Sequence, residues 1–360
     1  MSAPLVEIVI ACHDAHRPLR RAVESVLQDA DVRDRVRITV VAHGIDPELL
    51  CEQLTDLDGD VRVLAFADGI RSAAGPFNHG LDAVEAVYGG VMGSDDFLEP
   101  GTMRRWVAHV EQERPDAAIA QVRLQGMPVM PNPLVRLGRT KSLDAAKDRL
   151  FYRTAPLGLF RMERVRELGL RMVERVRVGE DFEFGILLWA LGGRIDFLKG
   201  EGSYVIGQDA RERTTLGVMS VTERFEPIVR LLDEGLFDRL APAHRNALVV
   251  KLIRVSIVGN AQVIADEFSD AAVVETATML ERLLAVAPAA LRPFNRQDRW
   301  VLDALMRTPT SAALSRALVR ARGATRLDRW LTPDLVHSFA AESTLRRYVL
   351  YFLKRDRRRR

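Results

Sequence analysis

The first part of the chain alternates short β-rich runs with amphipathic helical patterns, and this alternation constrains the fold more than any other feature. Val6-Glu7-Ile8-Val9-Ile10 reads as a buried strand. Leu19, Ala22, Val23, Val26 and Leu27 then recur at helical spacing, which predicts a helix over 17–28. Strands at 37–41, 61–64 and 90–92 are separated by helical patterns at 47–54 and 76–87, and a helix over 100–111 follows. Units of this kind predict an α/β domain with a mostly parallel sheet covered on both faces. Ligands of such sheets bind at the carboxyl ends of the strands. His13-Asp14, His43-Gly44 and Ser94-Asp95-Asp96 each follow a predicted strand and should meet on one rim.

Residues 123–160 read as irregular, punctuated by Pro128, Pro131, Pro133 and Pro156. Beyond about 215 only helical patterns remain. Ser220-Val-Thr-Glu223 is a capping-box signature for a helix that Gly235 closes. Apolar-periodic stretches follow at 243–267, 271–287, 297–307, 311–322 and 341–355. The expected division is therefore 1–215 and 216–360, the second part an all-helical domain ending in a basic tail, 354–360.

Composition narrows the class. With 48% hydrophobic and 28% charged residues the chain reads as an ordinary soluble protein. No apolar run approaches the roughly 20 residues of a membrane-spanning helix. Glu7 interrupts the apolar start, which argues against a secretory signal. Cys12 and Cys51 are too few for a disulfide scaffold and lack zinc-ligand spacing, so a cytoplasmic location is expected. The net charge of +3 is unevenly spread. Residues 292–360 hold 17 Lys and Arg against 6 Asp and Glu, a net +11, which leaves −8 on residues 1–291. A basic end suits an anionic surface; a solvated tail is the other reading. The acidic remainder argues against a nucleic-acid partner.

The chain has no P-loop, no G-x-G-x-x-G after the first strand, no G-x-S-x-G and no H-E-x-x-H, which removes the commonest nucleotidase, dinucleotide, hydrolase and zinc-protease readings. Two acidic doublets stand out. Asp95-Asp96 ends a buried strand, where adjacent carboxylates favour a hard divalent cation. Capping of the helix near Pro100 is the alternative. Glu180-Asp181 leads into the apolar helix 184–191, where a carboxylate at the positive helix end is a seat for a general base. Capping is again the alternative.

Together these segments resemble the family 2 glycosyltransferases of the GT-A fold over about residues 5–215. VEIVIACHDAHRPLRRAVESVLQ is similar to that family's first strand, nucleotide-binding loop and first helix. GPFNHGLDAVEAVYGGVMGSDDFLEPGTM resembles the run into its aspartate metal motif, and VGEDFEFGILLWALGGRI its Glu-Asp base motif. The resemblance implies a GT-A nucleotide-sugar-binding domain and an inverting transfer from a nucleoside-diphosphate sugar, with a UDP-sugar favoured. Asp95 would be the principal ligand of Mn²⁺ or Mg²⁺, with Asp96 beside it. Asp181 would be the base and Glu180 would orient the acceptor. Ala11, Cys12, His13, Asp14, Ser94 and Asp96 would face the donor, and Asn78 would lie nearby. Arg211 and Arg213 would contact the diphosphate, although surface arginines read the same way.

Three departures from the family pattern matter. Gly93 stands where an aspartate is usual, Ala42-His43-Gly44-Ile45 replaces Asp-Asp-Gly-Ser, and Phe77 replaces an arginine. His43 would partly replace the missing base contact and Arg71 the missing charge. These gaps leave open a non-catalytic nucleotide-sugar-binding or scaffold protein. A nucleotidyltransferase is more distant, because no glycine-rich basic phosphate loop is present. The acceptor expected is a cell-surface glycan or a lipid-linked precursor. Leu345–Lys354, which mixes aromatics with cations, would lie on an anionic membrane or pack against the helices, which could also form a homo-oligomer.

Overall fold

The computed structural model describes residues 4–209, 219–263 and 269–354. The chain divides into two compact units. One comprises 4–144 and 153–209 of the described residues, and the other 145–152 and 219–354.

The first unit is built from β1 (Val6–Cys12), α1 (Leu19–Leu27), β2 (Val36–His43), α2 (Pro47–Leu54), β3 (Asp60–Phe66), α3 (Ala74–Asp82) and β4 (Tyr88–Gly93). After these come β5 (Phe97–Leu98), α4 (Thr102–Glu113), β6 (Ala117–Ala120), β7 (Val122–Leu124), β8 (Gly158–Arg161), α5 (Met162–Glu167), α6 (Phe182–Leu191), β9 (Ile195–Leu198) and β10 (Tyr204–Ile206). A seven-stranded sheet has the order β3-β2-β1-β4-β8-β6-β9, and a small one the order β5-β10-β7. β1 runs parallel to both β2 and β4, and β2 parallel to β3. Only β8 runs antiparallel in the large sheet, against β4 and β6. The mostly parallel α/β sheet is the one the alternation predicts.

Local chemistry explains the elements. β1 is buried almost throughout, as a central parallel strand must be. Its one charge, Glu7, is tolerated because its carboxylate accepts from Thr39 Oγ1 (2.5 Å), Arg62 Nη2 (2.6 Å) and the Glu85 amide (3.0 Å). α1 buries Leu19, Ala22, Val23, Val26 and Leu27, the apolar stripe seen in the sequence. Each larger side chain so buried stabilises by about 1.5–3 kcal/mol. Pro47 opens α2 behind the Asp46 cap.

The helical unit contains α7 (Val221–Asp233), α8 (Pro242–Leu252), α9 (Asn260–Val263), α10 (Asp270–Val286), α11 (Arg296–Arg307), α12 (Ser311–Arg322), α13 (Arg326–Trp330) and α14 (Thr344–Lys354). The predicted capping box is present at Ser220 and Glu223. Asn295 and Thr310 cap α11 and α12 by accepting one backbone N–H each with a side-chain oxygen. Of the helix expected over 243–267, the described part is α8, a π-helical run at Ile253–Gly259, and then α9; residues 264–267 lie outside the described residues.

The segment 145–152, expected in the first domain, belongs to the helical unit. Phe151 packs edge-on to His244, and Arg254 Nη1 donates to Tyr152 Oη at 2.7 Å. No helix of the described residues is long and apolar enough to cross a membrane.

Candidate active site

Because β1 to β4 run parallel, their carboxyl ends open on one rim. The register sets Ala11 of β1 between Val41 of β2 and Gly93 of β4, and His43 beside Phe66 at the end of β3. Four loops thus start from neighbouring points: the three that the strand–loop spacing predicts and the loop after β3.

At the end of β4, Ser94 is buried and its Oγ accepts from Arg17 Nε at 2.7 Å. The same guanidinium places Nη2 2.5 Å from Asp95 Oδ1, and both side chains are largely buried. Arg17 sits in the turn between β1 and α1, where its amide donates to Asp14 O at 3.1 Å. The first βα loop is therefore tied to the β4 end by one arginine.

Asp96 has a different job. Its Oδ2 accepts from Tyr204 Oη at 2.5 Å and its Oδ1 from the Gly207 amide at 3.0 Å. Burial raises its pKa, with the Tyr204 hydrogen bond opposing the shift. Burial, then the adjacent Asp96 carboxylate, pushes the Tyr204 phenol well above its ordinary value, so Tyr204 is the donor. Tyr204 Oη in turn accepts from the Gly93 amide at 3.1 Å.

Gly93 and Gly207 are required by close approach. A Cβ at 93 would lie 2.7 Å from Asp96 Oδ2, and one at 207 only 1.9 Å from the Asp95 carbonyl oxygen. Arg21 completes the tie, donating to the Asp95 carbonyl at 2.5 Å and to both Asp209 oxygens at 2.5 and 3.0 Å. Its guanidinium lies over the Phe97 ring, 4.7 Å from the centroid. The Arg21 hydrogen bond holds the Asp209 carboxyl below its ordinary range.

At the β2 end, His43 Nε2 lies 2.8 Å from Asp68 Oδ1. The His43 hydrogen bond keeps Asp68 below the usual carboxylate range, and the same Oδ1 accepts from the Ile70 amide at 2.9 Å. Phe66 lies under both His43 and His79, with centroids 5.7 and 5.0 Å away. Arg71 is exposed on the same loop.

Glu180 and Asp181 precede α6. The Glu180 carbonyl accepts from the Val173 amide at 2.8 Å, and the Asp181 carbonyl from the Gly185 amide at 2.9 Å. The half-buried Asp181 stands at the N-cap of α6, yet its side chain makes no capping hydrogen bond. Asp95 and Asp96 do not cap the next helix either, because α4 starts behind Gly101 in the left-handed region at φ 74°.

Several residues differ from their expected roles. Asp96, expected as a metal ligand and donor contact, has both oxygens committed to the β10 segment. Cys12, expected at the nucleotide, is buried, and its thiol donates to Asp14 O at 3.3 Å. Asn78 is also buried. Its amide nitrogen donates to Met172 O (2.9 Å) and Glu174 Oε1 (3.0 Å), and its oxygen accepts from the Met172 amide (2.8 Å). Asn78 therefore fixes the stretch whose Val173 holds Glu180.

His13 is exposed at the rim and Ala11 half-buried. The Asp14 carboxylate accepts from the His16 amide at 2.9 Å and lies 2.9 Å from its ring nitrogen. Arg211 and Arg213 lie outside the described residues. Arg17, Arg21, Asp68 and Tyr204 carry no signal in the sequence, because each acts across the fold on a partner from a different element.

The donor set does not fit a divalent ion held by two carboxylates. Asp96 is spent on Tyr204 and Gly207, Gly93 brings no side chain, and Asp95 is already paired with a guanidinium. Among the described residues no three His, Cys, Asp or Glu side chains gather as a cation site.

A parallel-sheet α/β unit with this rim and a helical C-terminal part defines the class as a GT-A glycosyltransferase fold. Residues 7–169 match the family model described as Glycosyl transferase family 2. No curated protein matches the chain. Among solved structures, S. aureus TarS 1–349 in complex with UDP-GlcNAc is similar at a TM-score of 0.71 and 15% identity, over 88% of this chain and 91% of that one. The same protein in complex with UDP gives 0.71 at 13% identity, over 89% and 92%. The mannosyltransferase PcManGT from Pyrobaculum calidifontis, in complex with GDP-Man and Mn²⁺, gives 0.53 at 14% identity, over 89% and 87%. At these identities the likeness shows the fold.

Proposed function

We propose that the chain is an inverting glycosyltransferase that moves a sugar from a nucleoside-diphosphate donor to a hydroxyl of a cell-surface glycan or lipid-linked acceptor. The observation that carries this reading is the Ser94–Arg17–Asp95 assembly at the carboxyl end of β4, where an open α/β sheet takes its ligand. The TarS and PcManGT structures hold a UDP-sugar, UDP or GDP-Man, and they support a nucleotide-sugar donor, with UDP favoured. We place the reaction in the cytoplasm, since Cys12 and Cys51 are both free and suit a reducing compartment.

In the proposed step the acceptor oxygen forms its bond to the anomeric carbon as the bond to the diphosphate oxygen breaks on the opposite face. The acceptor proton passes to Asp181, and Glu180 orients the acceptor. Arg17 supplies positive charge where the departing nucleoside diphosphate gathers negative charge, with Arg211 and Arg213 as further contacts. Mn²⁺ or Mg²⁺ in this site would have Asp95 as its one carboxylate and would have to take it from Arg17. No step here runs through the ion.

The test is a thermal-shift series with UDP, GDP and their sugars, with and without Mn²⁺, followed by turnover. A ligand of the folded state raises the melting temperature. Stabilisation with transfer or slow donor hydrolysis supports the enzyme. Stabilisation without turnover for any acceptor or water would favour the nucleotide-sugar-binding scaffold. No stabilisation by any nucleotide sinks both.

A further inference from the structure

The end of the helical unit leaves a large apolar surface uncovered. α13, the 3₁₀ turn Leu335–Phe339 and α14 lie side by side, with the Trp330 ring 5.9 Å from that of Tyr348. Val336 is 77% exposed, Phe339 74% and Phe352 57%, and Tyr348, Tyr351 and Leu353 are exposed as well. In α14 only Leu350 is fully buried. A helix with apolar residues on most of its circumference and one anchor in the core has an uncovered face.

The surface is firmly backed. Ser343 Oγ donates to Ser338 O at 2.6 Å, joining the turn to the start of α14. Beneath it, the Glu342 carbonyl accepts from Arg254 Nη2 at 2.8 Å, and its buried carboxylate is paired with Arg149, Arg254 and Arg347. The apolar side chains are therefore presented by a fixed scaffold and not by a frayed end.

Charge identifies the occupant. Arg326, Arg329 and Arg346 are exposed among the apolar residues. Residues 326–354 carry 5 basic against 3 acidic side chains, a net +2. A second copy on this face would bring Arg326, Arg329 and Arg346 against their own like charges, whereas a bilayer containing acidic lipids offers apolar depth and negative headgroups together. Aromatics interleaved with arginine are the composition of a segment lying in that interface. We infer that the α13–α14 face is a docking surface for an anionic lipid bilayer. The inference does not depend on the sugar chemistry. It adds the Leu335–Phe339 turn to the helical segment picked out in the sequence.

The test uses the full chain and cosedimentation with vesicles of phosphatidylcholine alone or with added phosphatidylglycerol. The chain should bind the acidic vesicles, less as salt rises, and should bind the neutral ones weakly. The pair Val336→Asp and Phe339→Asp should lower binding by about tenfold or more without changing the melting temperature, because both side chains are exposed. Arg326→Glu with Arg346→Glu should abolish the preference for acidic vesicles, which gives a second handle if the first pair folds poorly. Equal binding by parent and variants, or no binding to any vesicle, overturns the inference. A concentration-dependent dimer that Val336→Asp and Phe339→Asp dissociate also overturns it and assigns the face to a second copy.

Discussion

Asp95-Asp96 and Glu180-Asp181 are alike in sequence, each an acidic doublet beside a buried element, but the fold spends them differently. In the first, one carboxylate is locked by a tyrosine and an amide and the other is paired with an arginine from a different loop. In the second, the backbone carbonyls do the holding, and the Asp181 side chain is not used to cap its helix. A carboxylate that accepts two buried hydrogen bonds acts as structure, because leaving those donors unmet would cost about 1–3 kcal/mol each. The comparison therefore sets Asp96 apart from the other three acids, and each can be tested.

The largest effect is expected at Asp181. Asp181→Asn fills nearly the same space but cannot accept the acceptor proton. Transfer should fall by about 10²–10⁴-fold while the UDP-induced thermal shift stays at the parent value. Glu180→Gln should be milder. If Glu180→Gln is dead and Asp181→Asn transfers normally, the base has been assigned to the wrong acid.

Next comes the Arg17–Asp95 pair. A hydrogen bond to a charged group is worth about 1.5–3 kcal/mol, so Arg17→Ala should weaken donor binding and turnover by about ten- to a hundredfold. Asp95→Asn should also weaken donor binding, because it loosens Arg17. Mn²⁺ that raises donor affinity in the parent as strongly as in Arg17→Ala would mean that the ion and the guanidinium do not compete for Asp95. The charge reading of Arg17 would then fail.

Asp96→Asn should act on the fold more than on chemistry. The carboxylate accepts from both Tyr204 and the Gly207 amide, whereas an amide offers one acceptor and sets a second donor against a donor. Stability should fall by about 1–3 kcal/mol, read as a lower urea midpoint at unchanged slope. An unchanged midpoint would return Asp96 to the list of donor contacts.

These ranks also show what the sequence could and could not carry. β1 to β4 and α1, α2 and α4 are legible because each is a single apolar run or stripe bounded by turn residues. β6, β8, β9 and β10 are only three or four residues long and lie among prolines and glycines, so no period can build up in them. Likewise the doublets are visible because both members are adjacent in the chain. Arg17 and Asp95 are 78 positions apart, and Tyr204 and Asp96 are 108 apart. They meet only because β4 pairs with β1 and β10 pairs with β5. The missing aspartate after β2 looked like a lost base contact for the same reason, since its spatial neighbour Asp68 comes from the loop after β3.

That neighbour supports the smallest effect we predict. His43 and Asp68 stand 2.8 Å apart at the edge of the rim, above the Phe66 ring, and give a paired donor and acceptor beside an aromatic face. A nucleobase needs both, a surface to lie on and polar groups along its edge. The His43 hydrogen bond keeps Asp68 ionised through the neutral range, so its carboxylate remains an acceptor for a base N–H. Replacing one such contact changes binding by about 0.5–1.5 kcal/mol, or roughly two- to twelvefold. Asp68→Asn should therefore narrow the ratio of UDP to GDP affinity by a few-fold and leave the affinity for inorganic pyrophosphate unchanged. Asp68 is partly exposed, so the melting temperature should hardly move. Calorimetric titration of the three ligands against parent and variant reads all of this. A loss shared equally by UDP, GDP and pyrophosphate would show that Asp68 shapes the rim as a whole. An unchanged UDP to GDP ratio would remove the His43–Asp68 pair from base selection.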